Sequence, residues 1–141
     1  MDPFDLVVVG GGAAGFMTAV TAAENGVNRI IILEGSSKLM EKIRISGGGR
    51  CNVTNASWIP NELAENYPRG GVRLLESFNR FAAGDVYDWF EKKGLKLKIE
   101  EDLRVFPVSN SSSDVIDCLR KSALSKKVEI LTKFFVKEIS K

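Results

Sequence analysis

A valine-rich apolar run at residues 5–9 stops on Gly10-Gly11-Gly12, and this junction constrains the fold more than any other stretch. A continuous apolar strand that ends directly in glycines suits a buried parallel strand better than a half-exposed one. Residues 13–25 are rich in alanine and read as a helix, with Gly26 where a helix C-terminus calls for glycine. Residues 29–33 form a second apolar run, closed by Glu34 and Gly35. Strand, glycine turn, helix and strand in about thirty residues is the βαβ plan. The expected fold class is therefore α/β: a Rossmann-like fold with a parallel sheet and helices.

The turn satisfies G-x-G-x-x-G through Gly10, Gly12 and Gly15. In this pattern the first glycine permits the tight turn and the second lets a pyrophosphate approach the backbone. The third lets the helix pack closely on the sheet. The helix start, at Ala13 and Ala14, would then offer free N–H groups and a partial positive charge to phosphates. Glu34 lies nineteen residues past Gly15, at the end of the second strand. There a carboxylate can accept hydrogen bonds from an adenosine ribose, and it would repel a 2′-phosphate. The plain alternative is a glycine turn with a surface glutamate.

A second cluster, Ser46-Gly47-Gly48-Gly49-Arg50, points to FAD over NAD. Three consecutive glycines belong in a loop, where they could present several N–H groups to one anion. Arg50 could add a charge-assisted bond to a phosphate, and Lys42 could make a similar contact. A simple NAD dehydrogenase needs only the first loop, whereas a longer dinucleotide bound extended would use both. The alternative for this cluster is a flexible linker.

Beyond residue 57 the pattern is helical over 71–93, with a break at Gly84 and Gly94 at its end. Leu74, Leu75, Phe78 and Phe81 lie on one face, and Val86, Trp89 and Phe90 form a second apolar set. Both read as core packing. Residues 95–99 and 104–106 read as paired strands stopped by Pro107. A serine-rich N-cap cluster at 110–113 leads into a helix to about residue 126. Residues 128–131 and 134–139 look like two more strands.

Composition narrows the function classes. The 141 residues suit one domain, and 20 Lys+Arg against 18 Asp+Glu give no electrostatic case for a nucleic-acid or membrane partner. The chain has no histidine, and its two cysteines, Cys51 and Cys118, match no metal spacing, so no metal is expected. No apolar stretch reaches the length of a membrane span, and residues 6–9 lack the flanks of a signal peptide. Two unpaired thiols suggest a reducing, cytoplasmic compartment. Cys51 beside the second loop invites a redox reading, but it has no partner thiol in the spacing, and a free cysteine more often serves as a small hydrophobe.

The segment 42–55, KIRISGGGRCNVTN, resembles the signature of the BaiN-like flavoproteins, an NAD(P)/FAD-dependent oxidoreductase family also known as the aminoacetone oxidase family. The opening VVVGGGAAG is similar to theirs, and RVFPVS at 104–109 and SDVIDCL at 113–119 resemble later blocks. Leu103 stands where the family has glycine before its RVFP block. The resemblance implies FAD held by a Rossmann-like domain. Gly10, Gly12, Ala13, Ala14, Gly15, Glu34, Gly35, Lys42, Ser46, Gly47, Gly48, Gly49, Arg50 and Cys51 would lie around it, and the backbone at Val136 would pair with adenine. Residues 1–141 would be the N-terminal part of that domain, apparently truncated. The family's inserted substrate domain and its C-terminal return to the flavin lie outside the sequence.

The expected function is the FAD-binding portion of a flavin-dependent oxidoreductase, with an unknown small-molecule substrate and NAD(P)H as a candidate electron donor. The sequence assigns no catalytic acid or base. Two alternatives stay open: an NAD-binding dehydrogenase domain, and a non-catalytic flavin- or nucleotide-binding module.

Overall fold

The computed structural model describes residues 3–140, which divide into two compact units. One unit comprises the residues up to Ile45 and those from Ile116 on; the other is Ser46–Val115.

The first unit holds the βαβ plan. Strand β1 (Leu6–Val9) leads through the glycine turn into helix α1 (Ala13–Glu24), and β2 (Ile30–Leu33) runs parallel to β1 with Leu6 opposite Ile30. A short helix, α2 (Glu41–Ile45), follows. The chain returns as helix α6 (Ser112–Ser125) and strand β6 (Glu129–Leu131), which pairs parallel to β2 with Ile32 opposite Ile130. The sheet order is β1-β2-β6. This is the Rossmann-like α/β arrangement that the sequence predicts. Helix α1 ends as expected: Asn25 is its C-cap and Gly26 follows at φ +91°, with the Val27 N–H donating to the Ala22 carbonyl at 3.1 Å.

The core of this unit is Phe16, Ala19 and Val20 of α1 against Ile30 and Ile32 of β2, all at most 1% exposed, with Leu119, Ala123 and Val128 also buried. Strand β2 is buried from Ile30 to Ile32, as predicted, with Leu33 half-buried. Strand β1 is not: Val8 is buried, but Val7 and Val9 are 48% and 57% exposed. The cause is position, since β1 is the edge of the sheet and its side chains alternate between faces. The strand expected at 134–139 is also absent. That segment has no regular secondary structure and makes no ladder. The Phe134 N–H donates to the Glu34 carbonyl at 2.9 Å, and no further strand pairing follows.

The second unit begins with a tight turn over Ser46–Gly49 and contains a three-stranded antiparallel sheet of order β3-β5-β4. Its strands are β3 (Thr54–Asn55), β4 (Leu97–Ile99) and β5 (Arg104–Pro107). The expected pairing of the last two is present, and Pro107 is the final residue of β5, opposite Leu97. Helices α3 (Pro60–Glu65), α4 (Gly71–Phe78) and α5 (Ala83–Lys92) complete the unit. The helical region breaks at 79–82, and Gly84 lies inside the first turn of α5. Asp85 explains the shift: its carboxylate accepts the Ala82 N–H at 2.7 Å and so starts the helix there. Helix α4 has no fully buried residue; Phe78 packs on a small core of Leu63, Ala82 and Ala83, and Phe81 is 45% exposed.

Among the described residues, no helix is long and apolar enough to cross a membrane, and no three His, Cys, Asp or Glu side chains converge as metal ligands would.

Candidate functional site

The three glycines of the first loop answer to three different demands. Gly10 has φ +107°, a conformation that a residue with a Cβ rarely adopts. Gly15 is required by packing: a Cβ there would overlap the Gly10 carbonyl oxygen and stand 3.3 Å from Val8 Cγ1. Gly12 meets neither demand. Its φ of −89° suits any residue, and a Cβ on it would touch nothing within 4 Å. The chain's own packing does not ask for glycine at 12, and an approaching ligand would.

Gly12 is also the N-cap of α1, and no side chain caps this end. At this end the Phe16 N–H donates to the Gly12 carbonyl at 3.0 Å. The N–H groups of Ala13, Ala14 and Gly15 precede the helix ladder, at the positive end of the helix dipole. Gly12, Ala13 and Ala14 are exposed, and no acidic residue stands in the first turn.

The middle glycine, which sequence reasoning passed over, organises the loop. The Gly11 N–H donates to Glu34 Oε2 at 2.7 Å, and its carbonyl accepts from the Met40 N–H at 2.9 Å. A Cβ on Gly11 would stand 2.6 Å from Leu39 Cδ2 and 3.0 Å from Glu34 Cβ. The signal was present, since a third glycine between the two that the motif requires needs its own reason.

Glu34 sits at the end of β2, as expected. Its other oxygen, Oε1, accepts the Ser36 N–H at 2.7 Å. Bonds from the Ser36 and Gly11 backbone, in that order, hold the carboxyl below its ordinary value of 4.5. Glu34 is thus an ionised, acceptor-only group with a fixed orientation. An ionised carboxylate suits hydroxyl donors and repels phosphate.

Gly12, Ala13, Ala14, Glu34 and Lys42 line one cavity of ≈ 580 Å³ in this unit, together with Ser36 and Lys38. The structure therefore brings most of the first group of predicted residues to one place. Gly35 lies beside it under Phe135, whose ring would stand 3.0 Å from a Cβ at position 35. Val136 is half-buried two residues past Phe134, whose N–H is tied to the Glu34 carbonyl.

The remaining predicted residues belong to the second unit. Gly47, Gly48 and Gly49 all have positive φ, at 56°, 67° and 85°, so the triple glycine makes a left-handed turn. The Cys51 N–H closes it on the Ser46 carbonyl at 3.0 Å. Gly47 lies directly on Phe106, with a hypothetical Cβ only 3.0 Å from Cε1. Two blocks singled out in the sequence, SGGGRC and RVFP, thus meet in the fold.

Arg50 is engaged internally. Nη1 donates to Glu100 Oε1 at 2.6 Å, and the guanidinium carbon lies 3.9 Å from the centroid of the fully buried Phe106 ring. Arg104 approaches the same ring at 5.3 Å and bonds Asp102 through Nε at 2.6 Å. Arg50 thereby fastens the loop to the sheet through Glu100 and Phe106. Glu100 and Phe106 were not legible as site neighbours, because the ion pair spans fifty residues.

Cys51 is buried at φ +61°, and burial pushes its thiol up from the ordinary value, with a bond to the Ser46 side chain acting the other way. A raised thiol is a poor nucleophile at neutral pH. Cys51 and Cys118 are both free.

Residues 4–141 match the family described as HI0933-like protein Rossmann domain. The chain is 29% identical over 126 residues to a 3-dehydro-bile acid delta(4,6)-reductase of Clostridium scindens, covering 89% of this chain and 30% of that protein. It is 31% identical over 119 residues to the ribosomal RNA dihydrouridine synthase of Escherichia coli, covering 84% of this chain and 28% of that protein. A 3-oxosteroid 1-dehydrogenase of Mycobacterium tuberculosis is 39% identical over 70 residues, covering 50% of this chain and 11% of that protein. The chain thus spans less than a third of the length of these curated relatives. The crystal structure of THI4 from Thermovibrio ammonificans superposes with a TM-score of 0.59 at 10% identity, covering 92% of this chain and 38% of that one, a likeness of fold. The family match spans nearly the whole chain and agrees with the glycine–glutamate cavity: the chain belongs to the HI0933-like Rossmann domain family, as an FAD-binding portion.

Proposed function

We propose that the cavity of the first unit holds the adenosine and pyrophosphate end of FAD, and that the whole protein passes hydride between the flavin and an organic substrate. One observation carries the assignment of the cavity: Gly12 is the loop glycine that neither backbone conformation nor internal packing requires, and it caps an open helix N-terminus. In this reading the N–H groups of Ala13, Ala14 and Gly15 face the pyrophosphate, with Gly10 shaping the turn. Glu34, oriented by Gly11 and Ser36, accepts from the ribose hydroxyls. Lys42 supplies charge, and the backbone at Gly35 and Val136 borders the adenine. Ser46, Gly47, Gly48, Gly49, Arg50 and Cys51 are assigned to FAD on their resemblance to the family signature alone. Bound flavin supplies the hydride chemistry; the residues here bind and orient it.

Three relatives support a substrate class. Their names specify a delta(4,6)-reductase, a dihydrouridine synthase and a 3-oxosteroid 1-dehydrogenase. Each describes hydrogen added to, or removed from, a carbon–carbon bond near a carbonyl. We assign the same reaction type to this protein, with a small molecule as substrate and NAD(P)H as electron donor, in a reducing cytoplasmic compartment suited to two free thiols. The Escherichia coli relative supports a second reading, in which the acceptor is a uracil ring in RNA. Residues 1–141 are assigned to the FAD-binding Rossmann-like domain.

The test is purification of the full-length protein, followed by anaerobic reduction with NADPH or NADH and reoxidation by an enone or by uridine-containing RNA. The expected result is a yellow protein with a flavin absorption band, reoxidised by the enone. Reoxidation by RNA alone would favour the second reading. A colourless protein that FAD cannot reconstitute would overturn both.

A further inference from the structure

The second unit contains a cavity that the cofactor reading does not use. Trp58, Phe78, Tyr87 and Ile99 wall a space of ≈ 630 Å³, together with the carboxylates of Asp85 and Asp88. That volume is in the range of small-molecule sites. Trp58 and Tyr87 meet edge to face, with centroids 5.6 Å apart and planes at 71°, so they form an angled aromatic corner. Trp58 and Ile99 remain 44% and 48% exposed, a large apolar surface left open beside the acids.

The charge of the lining is one-sided. It includes two carboxylates and no lysine or arginine. Asp85 accepts the Ala82 N–H at the start of α5, and Asp88 makes no ion pair among the described residues. An aromatic corner attracts a cation through the negative faces of its rings, most strongly for tryptophan. Carboxylates nearby add attraction to the same charge and repel an anion.

We infer that this cavity binds an organic cation, an amine or quaternary ammonium group carried on an apolar body, with Trp58 and Tyr87 against the cation and Asp88 as its counter-charge. The site lies wholly within the second unit and does not depend on the flavin assignment.

Calorimetric titration of the full chain with benzyltrimethylammonium, benzyl alcohol and benzoate tests this. The expected result is saturable binding of the cation, at least tenfold weaker binding of the alcohol and none of benzoate. Trp58→Leu should abolish cation binding. Asp88→Asn, at an exposed position that caps nothing, should weaken it three- to tenfold. Equal affinity for cation and alcohol, no saturable binding, or unchanged cation affinity in Asp88→Asn would overturn the proposal. Neither substitution touches the Glu34 cavity, so FAD binding measured in the same variants separates a failure here from a failure of the cofactor reading.

Discussion

The Gly11 N–H donates to Glu34 across twenty-three residues, at 2.7 Å, and this bond joins the glycine loop to the end of β2. It fixes the carboxylate before any ligand arrives. Replacing Glu34 with alanine removes the ribose acceptor and frees the loop. A charged hydrogen bond is worth about 1.5–3 kcal/mol, so FAD affinity should fall about 10- to 100-fold. Fluorescence titration with FAD measures it, and an unchanged affinity would show that the ribose lies elsewhere.

The same bond makes a prediction about acid stability. Backbone donors hold the Glu34 carboxyl below its ordinary value of 4.5, so its folded-state pKa is depressed. Such a group stabilises the fold at pH above its unfolded value and loses that contribution as pH falls through the folded value. Urea unfolding of the wild type and Glu34→Gln between pH 7 and pH 3 should therefore give a stability difference that shrinks toward low pH. A difference independent of pH would remove the ionised carboxylate from the account.

Gly15 should be intolerant for a steric reason alone. Its Cβ would collide with the Gly10 carbonyl oxygen, which is backbone and cannot swing aside. Gly15→Ala should cost about 1–3 kcal/mol of unfolding free energy, typical of overpacking. Wild-type stability in this variant would mean that α1 can slide on β1.

How much of this was legible in the sequence depended on the range of the interaction. The βαβ unit was legible because Gly10 and Gly15 answer local demands and Glu34 closes a strand. The exposure of Val7 and Val9 was not, since an apolar strand reads the same at a sheet edge as at its centre. Helix α3 begins on Pro60, a usable signal that its weak periodicity hid. Strand β3 has two residues and exists through its pairing with β5, which no local pattern announces. The Arg50–Glu100 pair was not legible, because the two residues stand fifty positions apart.

Leu103 is a case where sequence and structure agree on a misfit. It stands at φ +65° in the turn joining β4 to β5, with its N–H donating to the Glu100 carbonyl at 2.9 Å. The left-handed conformation costs a residue with a Cβ about 1–2 kcal/mol, and glycine returns about 0.4–1 kcal/mol of that as unfolded-state entropy. Leu103→Gly should therefore stabilise the chain by about 0.5–1 kcal/mol, seen as a higher urea midpoint. A lower midpoint would place the value of Leu103 in its side-chain contacts.

The central claim, that the open end of α1 receives the pyrophosphate, is tested most directly by Gly12→Ala. The added methyl meets no atom of the chain and φ is −89°, so unfolding free energy should stay within about 0.5 kcal/mol of wild type. The same methyl would stand where the phosphates approach, so the FAD dissociation constant should rise at least tenfold, equivalent to about 1.4 kcal/mol. A stable Gly12→Ala protein that binds FAD as tightly as wild type would contradict the account.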